Sequence, residues 1–218
     1  MDRGSAGPPL PLRTAGVILA AGAGSRFGGD KLVATVGGRP LVRHVVDAAV
    51  EAGLEPIVVV VPPGGAVGSL DLAPATRVVN PNPGEGLSSS VRIGLRMIDA
   101  DAESADPVAA AVILPADQPF VRAATIRALV DAAVASPAKR FVVARHAADR
   151  TPNPVLARRD GWRLADELAG DRGFGPLLAD HPELVEEVLV AGSNPDVDTP
   201  DDLRRAAAER GPISPGKP

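Results

Sequence analysis

Between Val17 and Lys31 the sequence reads VILAAGAGSRFGGDK. An apolar run opens into a loop with Gly22, Gly24, Gly28 and Gly29, and the loop carries Arg26 and Lys31. Glycine has no Cβ, so backbone N–H groups there approach a ligand closely. A concave run of N–H groups beside two cations suits a phosphate. The chemistry on offer is to hold a polyphosphate and neutralise charge that develops on it.

Three phosphate loops compete for this stretch. A Walker A loop requires Gly, four residues, then Gly-Lys-Ser/Thr. Gly24 and Gly29 have that separation, but Asp30 follows, and Lys31 precedes Leu32 instead of a hydroxyl residue. The Walker reading is excluded. A dinucleotide fingerprint requires G-x-G-x-x-G and an acid about 20 residues on. Here Phe27 holds the third glycine position, and the apolar run Ile57–Val61 ends in Pro62-Pro63 with no acid. The pattern L-A-A-G-x-x-x-R-[MF]-G-x-x-K of nucleotidyl-transfer loops matches at Leu19, Ala20, Ala21, Gly22, Arg26, Phe27, Gly28 and Lys31. A plain Gly-rich strand-to-helix turn accounts for the glycines but not for the cation pair.

Two aspartates stand out next. Asp117 follows the apolar run Ala111-Val112-Ile113-Leu114 in LPADQPF. A carboxylate just past a central strand sits where α/β sheets bind ligands, and it suits Mg²⁺ on a triphosphate. Asp198, in PDVDTP, reads alone as a structural residue at a helix start. Paired with Asp117 it becomes a second metal ligand, with Asp196 as the competitor for that role. Ser88, Ser89 and Ser90 open a helix after the turn-rich run Asn80-Pro81-Asn82-Pro83-Gly84. Their hydroxyls and the N–H groups of the helix start suit ribose, a base edge or a phosphate. Arg172, in GDRGFG, is a second glycine-flanked cation, suited to an acceptor's phosphate or to an ordinary turn.

These positions need a scaffold. The 218 residues suffice for one α/β unit with a sizeable core, expected over 14–210, with tails over 1–13 and 211–218. Strands are expected at 17–20, 57–61, 78–79, 108–114, 141–144, 153–157 and 185–190. Helices are expected at 40–52, closed by Gly53, and at 87–98, 122–135, 162–168 and 174–178, with another starting at Thr199-Pro200. Strands alternating with helices argue for a mostly parallel sheet with helices on both faces.

Composition narrows the function further. The net charge is −4 and aromatic residues make up 2% of the chain, so a basic, ring-lined nucleic-acid groove is not expected. Cysteine is absent, which removes thiol catalysis, thiolate metal sites and disulfides. His44, His146 and His181 share no ligand spacing, so any metal should be a hard cation on oxygens. The chain has no membrane-length apolar run and no signal-peptide core, which makes a cytoplasmic enzyme the default expectation.

Taken in order, LAAGAGSRFGGDK, NPNPGEGLSSSVRIGL, LPADQPF, NPVL, GDRGFGPLL and VDTPDDL make the chain resemble the molybdenum cofactor cytidylyltransferase-like branch of the nucleotidyltransferases. The resemblance spans Val17 to Leu203. It implies a Rossmann-like three-layer α/β/α fold. It implies that Leu19, Ala20, Ala21, Gly22, Ala23, Gly24, Ser25, Arg26 and Lys31 hold a nucleoside triphosphate, with Asn80, Ser88 and Ser89 near the nucleoside. It also implies Asp117 and Asp198 as Mg²⁺ ligands, and Asn153 and Arg172 beside the acceptor. Ala21, where related guanylyltransferases carry glycine, favours CTP. The implied acceptor is molybdopterin, with a downstream molybdoenzyme or chaperone as a partner. Arg150-Thr151-Pro152 departs from the family, which has a glycine before the Asn-Pro pair. The alternative on the same fold is a nicotinamide-dependent oxidoreductase resembling the pigment reductase of nicotine breakdown.

Overall fold

The computed structural model describes residues 10–22, 27, 30–100, 106–146 and 152–210. Ala23, Gly24, Ser25, Arg26, Gly28 and Gly29 of the glycine loop lie outside the described residues, as do 1–9 and 211–218 of the expected tails. Leu10 and Leu12, within the expected N-terminal tail, pack half-buried against the core.

The chain runs through β1 (Thr14–Leu19), a short 3₁₀ helix (Lys31–Val33), the two-stranded ribbon β2 (Thr35–Val36) and β3 (Arg39–Pro40), and α1 (Leu41–Ala52). It continues through β4 (Ile57–Val61), β5 (Thr76–Val79), α2 (Leu87–Asp99), β6 (Ala110–Pro115) and α3 (Ala123–Ala135). Then follow β7 (Phe141–His146), β8 (Val155–Arg158), a 3₁₀ helix (Arg159–Glu167), α4 (Gly175–Asp180), β9 (Val185–Val190) and α5 (Pro200–Arg210).

Seven of these strands form one sheet in the order β5-β4-β1-β6-β8-β7-β9, parallel throughout except for β8. The central strands are buried on both faces, as expected of continuous apolar runs under two helical layers. Ile18 and Ala20 face the cluster built with α1 and α3, while Ala15, Val17 and Leu19 face the cluster of α2, the 159–167 helix and α4. The fold is therefore a three-layer α/β/α sandwich with a mostly parallel sheet, as expected. Among the described residues no helix is long and apolar enough to cross a membrane.

Local chemistry explains the element ends. Gly53 takes φ 86° and ends α1, with Gly53 N–H donating to the Val50 carbonyl and Leu54 N–H to that of Ala49. Pro40 sits at the N-cap and α1 starts at Leu41, one residue after the expected start, because Arg39–Pro40 pairs with Thr35–Val36 across Gly37-Gly38. The helix expected at 162–168 is instead a 3₁₀ helix over Arg159–Glu167. Trp162, Ala165 and Leu168 are all buried, and a stripe spaced by three suits a three-residue turn as well as an α-helix.

Candidate functional site

The site begins where β1 ends. Leu19, Ala20 and Ala21 are buried, and Gly22 is exposed. The Leu19 carbonyl accepts from Ala116 N–H, and Ala20 N–H donates to the Val60 carbonyl. These residues form the buried root of the loop. The expected N–H donors therefore start at Gly22, and Ala23 to Arg26 lie outside the described residues.

The chain is anchored again at Asp30. Asp30 Oδ2 accepts from Ala66 N–H at 2.8 Å, and Leu32 enters the core. Between these anchors, Lys31 is directed toward the carboxyl ends of the strands. Register brings Asp117 to the same place: β1 and β6 run side by side with Leu19 opposite Pro115, so Asp117 emerges next to the root of the loop. Asp198 arrives from the far end of the sequence. Val197 N–H donates to the Asp117 carbonyl at 2.9 Å, and the Val197 side chain is buried with Val36, Leu41 and Ala206. The residues beside Val197 are thereby held against the β6 loop.

Lys31 Nζ lies 2.7 Å from Asp117 Oδ2 and 2.7 Å from Asp198 Oδ1. The lysine side chain is 11% exposed, against 24% for Asp117 and 38% for Asp198, so the cluster opens to solvent on its carboxylate side. Burial works against the charged ammonium, but the adjacent Asp117 and Asp198 outweigh it, and the Lys31 pKa is raised above the ordinary lysine value.

A second layer supports the pair. Gln118, buried, donates through Nε2 to Asp196 Oδ1 at 2.9 Å and accepts from Asn194 Nδ2 at 3.1 Å. Burial raises the Asp196 pKa, the Gln118 hydrogen bond opposes that rise, and the nearby charges of Asp117 and Asp198 add to it. Asp198 rather than Asp196 makes the contact with Lys31. The sequence motifs assign no role to Gln118 or Asn194. An amide directly after Asp117, in a loop at the carboxyl edge, was the available signal for Gln118.

The serine helix differs from expectation. Its leading N–H groups are taken by protein: Leu87 N–H donates to Asp171 Oδ1 at 3.2 Å, Ser88 N–H to the Gly170 carbonyl, and Ser89 N–H to the Gly86 carbonyl. Asn80 is wholly buried; its Nδ2 donates to Ser89 Oγ at 2.8 Å and Ser90 Oγ at 3.0 Å, and its Oδ1 accepts from Asn82 N–H. Ser89 Oγ also donates to the Gly86 carbonyl at 2.8 Å. Ser88 Oγ alone in this run is buried with no hydrogen-bond partner among the described residues. Asn80 and Ser89 are thus bonded within the protein.

The GDRG segment is a clasp on this helix. Gly86 has φ 89°, and a Cβ there would lie 2.4 Å from the Gly170 carbonyl carbon. Arg172, exposed, stands in the clasp loop itself. Asn153 is half-buried just ahead of β8, whose antiparallel direction sets its start at the carboxyl ends of its neighbours. The structure gathers Lys31, Asp117 and Asp198 into one ion-paired cluster; Asn153 and Arg172 are not among its members.

Comparison with known proteins identifies the family. Residues 16–190 match the MobA-like NTP transferase domain. The bifunctional protein GlmU of Rhodococcus opacus strain B4 is 34% identical over 132 residues, covering 56% of this chain and 25% of its own length. The chain spans 25–36% of the length of the GlmU relatives from Rhodococcus opacus and Shouchella clausii. The 2-C-methyl-D-erythritol 4-phosphate cytidylyltransferase of Streptomyces coelicolor is 35% identical over 200 residues, covering 82% of this chain and 71% of its own. Among solved structures, Rv0371c of Mycobacterium tuberculosis H37Rv superposes with a TM-score of 0.74 at 28% identity, covering 90% of this chain and 98% of its own. A second structure of Rv0371c, in complex with manganese, has a TM-score of 0.69 at 27% identity, covering 90% and 98%. Since the matched segment runs from the phosphate-loop strand to the last strand of the sheet, the chain belongs to the MobA-like NTP transferase domain family.

Proposed function

We propose that this chain transfers CMP from CTP to the phosphate of a small acceptor, releasing pyrophosphate, with a divalent cation held by Asp117 and Asp198. One observation carries the reading: carboxylates distant in sequence converge on one cationic centre, the Lys31 ammonium, at 2.7 Å each. The donor set fits Mg²⁺. Two hard carboxylates face one point, and among the described residues no third metal-ligating side chain joins them. Mg²⁺ usually keeps several waters and takes one or two protein carboxylates together with substrate phosphates. The manganese complex of Rv0371c supports a divalent ion at this fold. When bound, such an ion supplies positive charge that polarises the phosphoryl oxygens.

The residues of the chain do the rest by position and charge. Gly22 and the loop beyond it donate N–H groups to the triphosphate. Lys31 moves onto the phosphoryl oxygens and neutralises charge as the bond from the α-phosphorus to pyrophosphate breaks. Arg26 holds the departing pyrophosphate. The attacking group is an oxygen of the acceptor's phosphate, already anionic at neutral pH, so no proton has to be removed. Ser88, whose hydroxyl no described protein group engages, is the serine assigned to the nucleoside, and Asn80 and Ser89 hold it in place. Asn153 and Arg172 are assigned to the acceptor. CTP is favoured by Ala21 and by the cytidylyltransferase relative. Molybdopterin is the proposed acceptor, and the phosphate named for that relative is of the same chemical class.

A thermal-shift panel of CTP, GTP, ATP, UTP and NADPH, with and without Mg²⁺, tests the class. A selective, Mg²⁺-dependent shift with CTP is expected. Stabilisation by NADPH alone, without metal, would overturn the reading in favour of hydride transfer. Pyrophosphate release with molybdopterin set against 2-C-methyl-D-erythritol 4-phosphate then separates the acceptors.

A further inference from the structure

The same three side chains carry a second conclusion, about the order in which the site fills. It rests on the reading that Asp117 and Asp198 hold the metal. Lys31 Nζ donates to one oxygen of each carboxylate at 2.7 Å, the distance of a strong charge-assisted hydrogen bond. With its side chain only 11% exposed, the ammonium fills the point on which both carboxylates converge. It also leaves the two carboxylates with a net charge of −1 instead of −2, which weakens their pull on a free divalent cation. Asp30, bound to Ala66 N–H, and Leu32, buried in the core, fix the backbone on either side of Lys31. The movable part is then the four-carbon stem, which carries a compact charge on rotatable bonds. A triphosphate arriving at the adjacent loop offers that charge another anionic partner.

We propose that Lys31 is an exchangeable counter-ion. Its ammonium closes the Asp117–Asp198 pair to free divalent metal, and a nucleoside triphosphate opens the pair by drawing the ammonium onto its phosphates. Metal and nucleotide therefore enter together, and the nucleotide-free protein holds metal weakly. The competing arrangement leaves Lys31 in place while a metal takes the outer carboxylate oxygens; in that case removal of the lysine charge brings no gain in metal affinity.

The probe is Mn²⁺ alone, followed by electron paramagnetic resonance on nucleotide-free protein. Lys31→Gln and Lys31→Met are expected to bind Mn²⁺ roughly tenfold or more tightly than wild type, within the usual range of coupling between sites. Adding Asp117→Asn to either variant should remove the gain. Equal or weaker binding by folded Lys31 variants overturns the exchange. Wild-type protein supplies a check that needs no variant. Saturating Mn²⁺ should speed acylation of Lys31 by an amine-directed reagent, read by peptide mass spectrometry, and unchanged labelling overturns the proposal. Should the exchange fail, Mn²⁺ bound with CTP in an Asp117-dependent manner shows that the metal reading still stands. Loss of that binding as well shows that the metal reading has failed too.

Discussion

At the scale of single residues, charge placement decides function. Lys31 is ion-paired with both aspartates, so Lys31→Ala should nearly abolish pyrophosphate release from CTP, a loss of about 10²–10³-fold or more by analogy with removal of other charge-stabilising groups. Asp117→Asn should cut turnover and raise the Mg²⁺ concentration for half-maximal rate, both read in the same assay. Unchanged metal dependence would count against Asp117 as a ligand. Lys31 and Asp117 were legible from the sequence because each sits at a fixed offset from an apolar strand. The partner of Asp117 was harder: Asp196 and Asp198 differ by one alternation of the chain. The choice fell to Val197, which turns into the apolar cluster and leaves Asp198 on the Lys31 side and Asp196 on the Gln118 side. Asn80 illustrates the opposite case. Its residue type suits a ligand, but a wholly buried amide bonded to two serines and a backbone N–H organises the helix start instead.

At the scale of elements, two helix N-termini are held by different kinds of cap. The first turn of α2 is capped across space by Asp171, with no side-chain cap of its own. Asp171→Ala should destabilise the protein by about 1 kcal/mol, the usual value of a lost cap. It should also raise the KM for CTP more than it lowers kcat, because Ser88 moves with the helix start. Thermal melting and steady-state kinetics check the two parts. The N-terminus of α5 is closed reciprocally: Thr199 N–H and Oγ1 donate to Asp202 Oδ2 at 2.8 and 2.7 Å, and Asp202 N–H donates to Thr199 Oγ1 at 3.2 Å. The hydrogen bonds from Thr199, then that from Arg205, hold the Asp202 pKa down at about 2. A lowered carboxylate pKa stabilises the fold above its unfolded value and ceases to do so as pH falls through the folded value. Asp202→Ala should therefore lower the melting temperature at pH 7, and its difference from wild type should shrink between about pH 4 and pH 2. The Thr199-Pro200-Asp201-Asp202 start of α5 was legible because such caps are local. The Asp171 cap was not, since its partner Leu87 lies 84 residues away.

At the scale of the whole molecule, the sheet and its two helical layers bring the loops together. α2 lies so close to β1 that a Cβ on Gly94 would come 2.3 Å from Val17 Cγ1. Gly94→Ala should overpack this contact and cost about 1–3 kcal/mol, visible as a lower denaturation midpoint. It should also weaken CTP binding, because α2 carries Ser88 and β1 carries the loop. The sequence by itself determined the α/β class and most element positions, and marked the glycine-rich loop and the two acidic segments, because periodicity, caps and short motifs are written in neighbouring residues. The strand order, the reversal of β8, the 3₁₀ form of 159–167 and the clasp of Gly170-Asp171 on α2 came only with tertiary structure. So did the seating of Lys31 between Asp117 and Asp198. These depend on which loops meet at the carboxyl edge, and that is set by register and packing between segments as much as 167 residues apart.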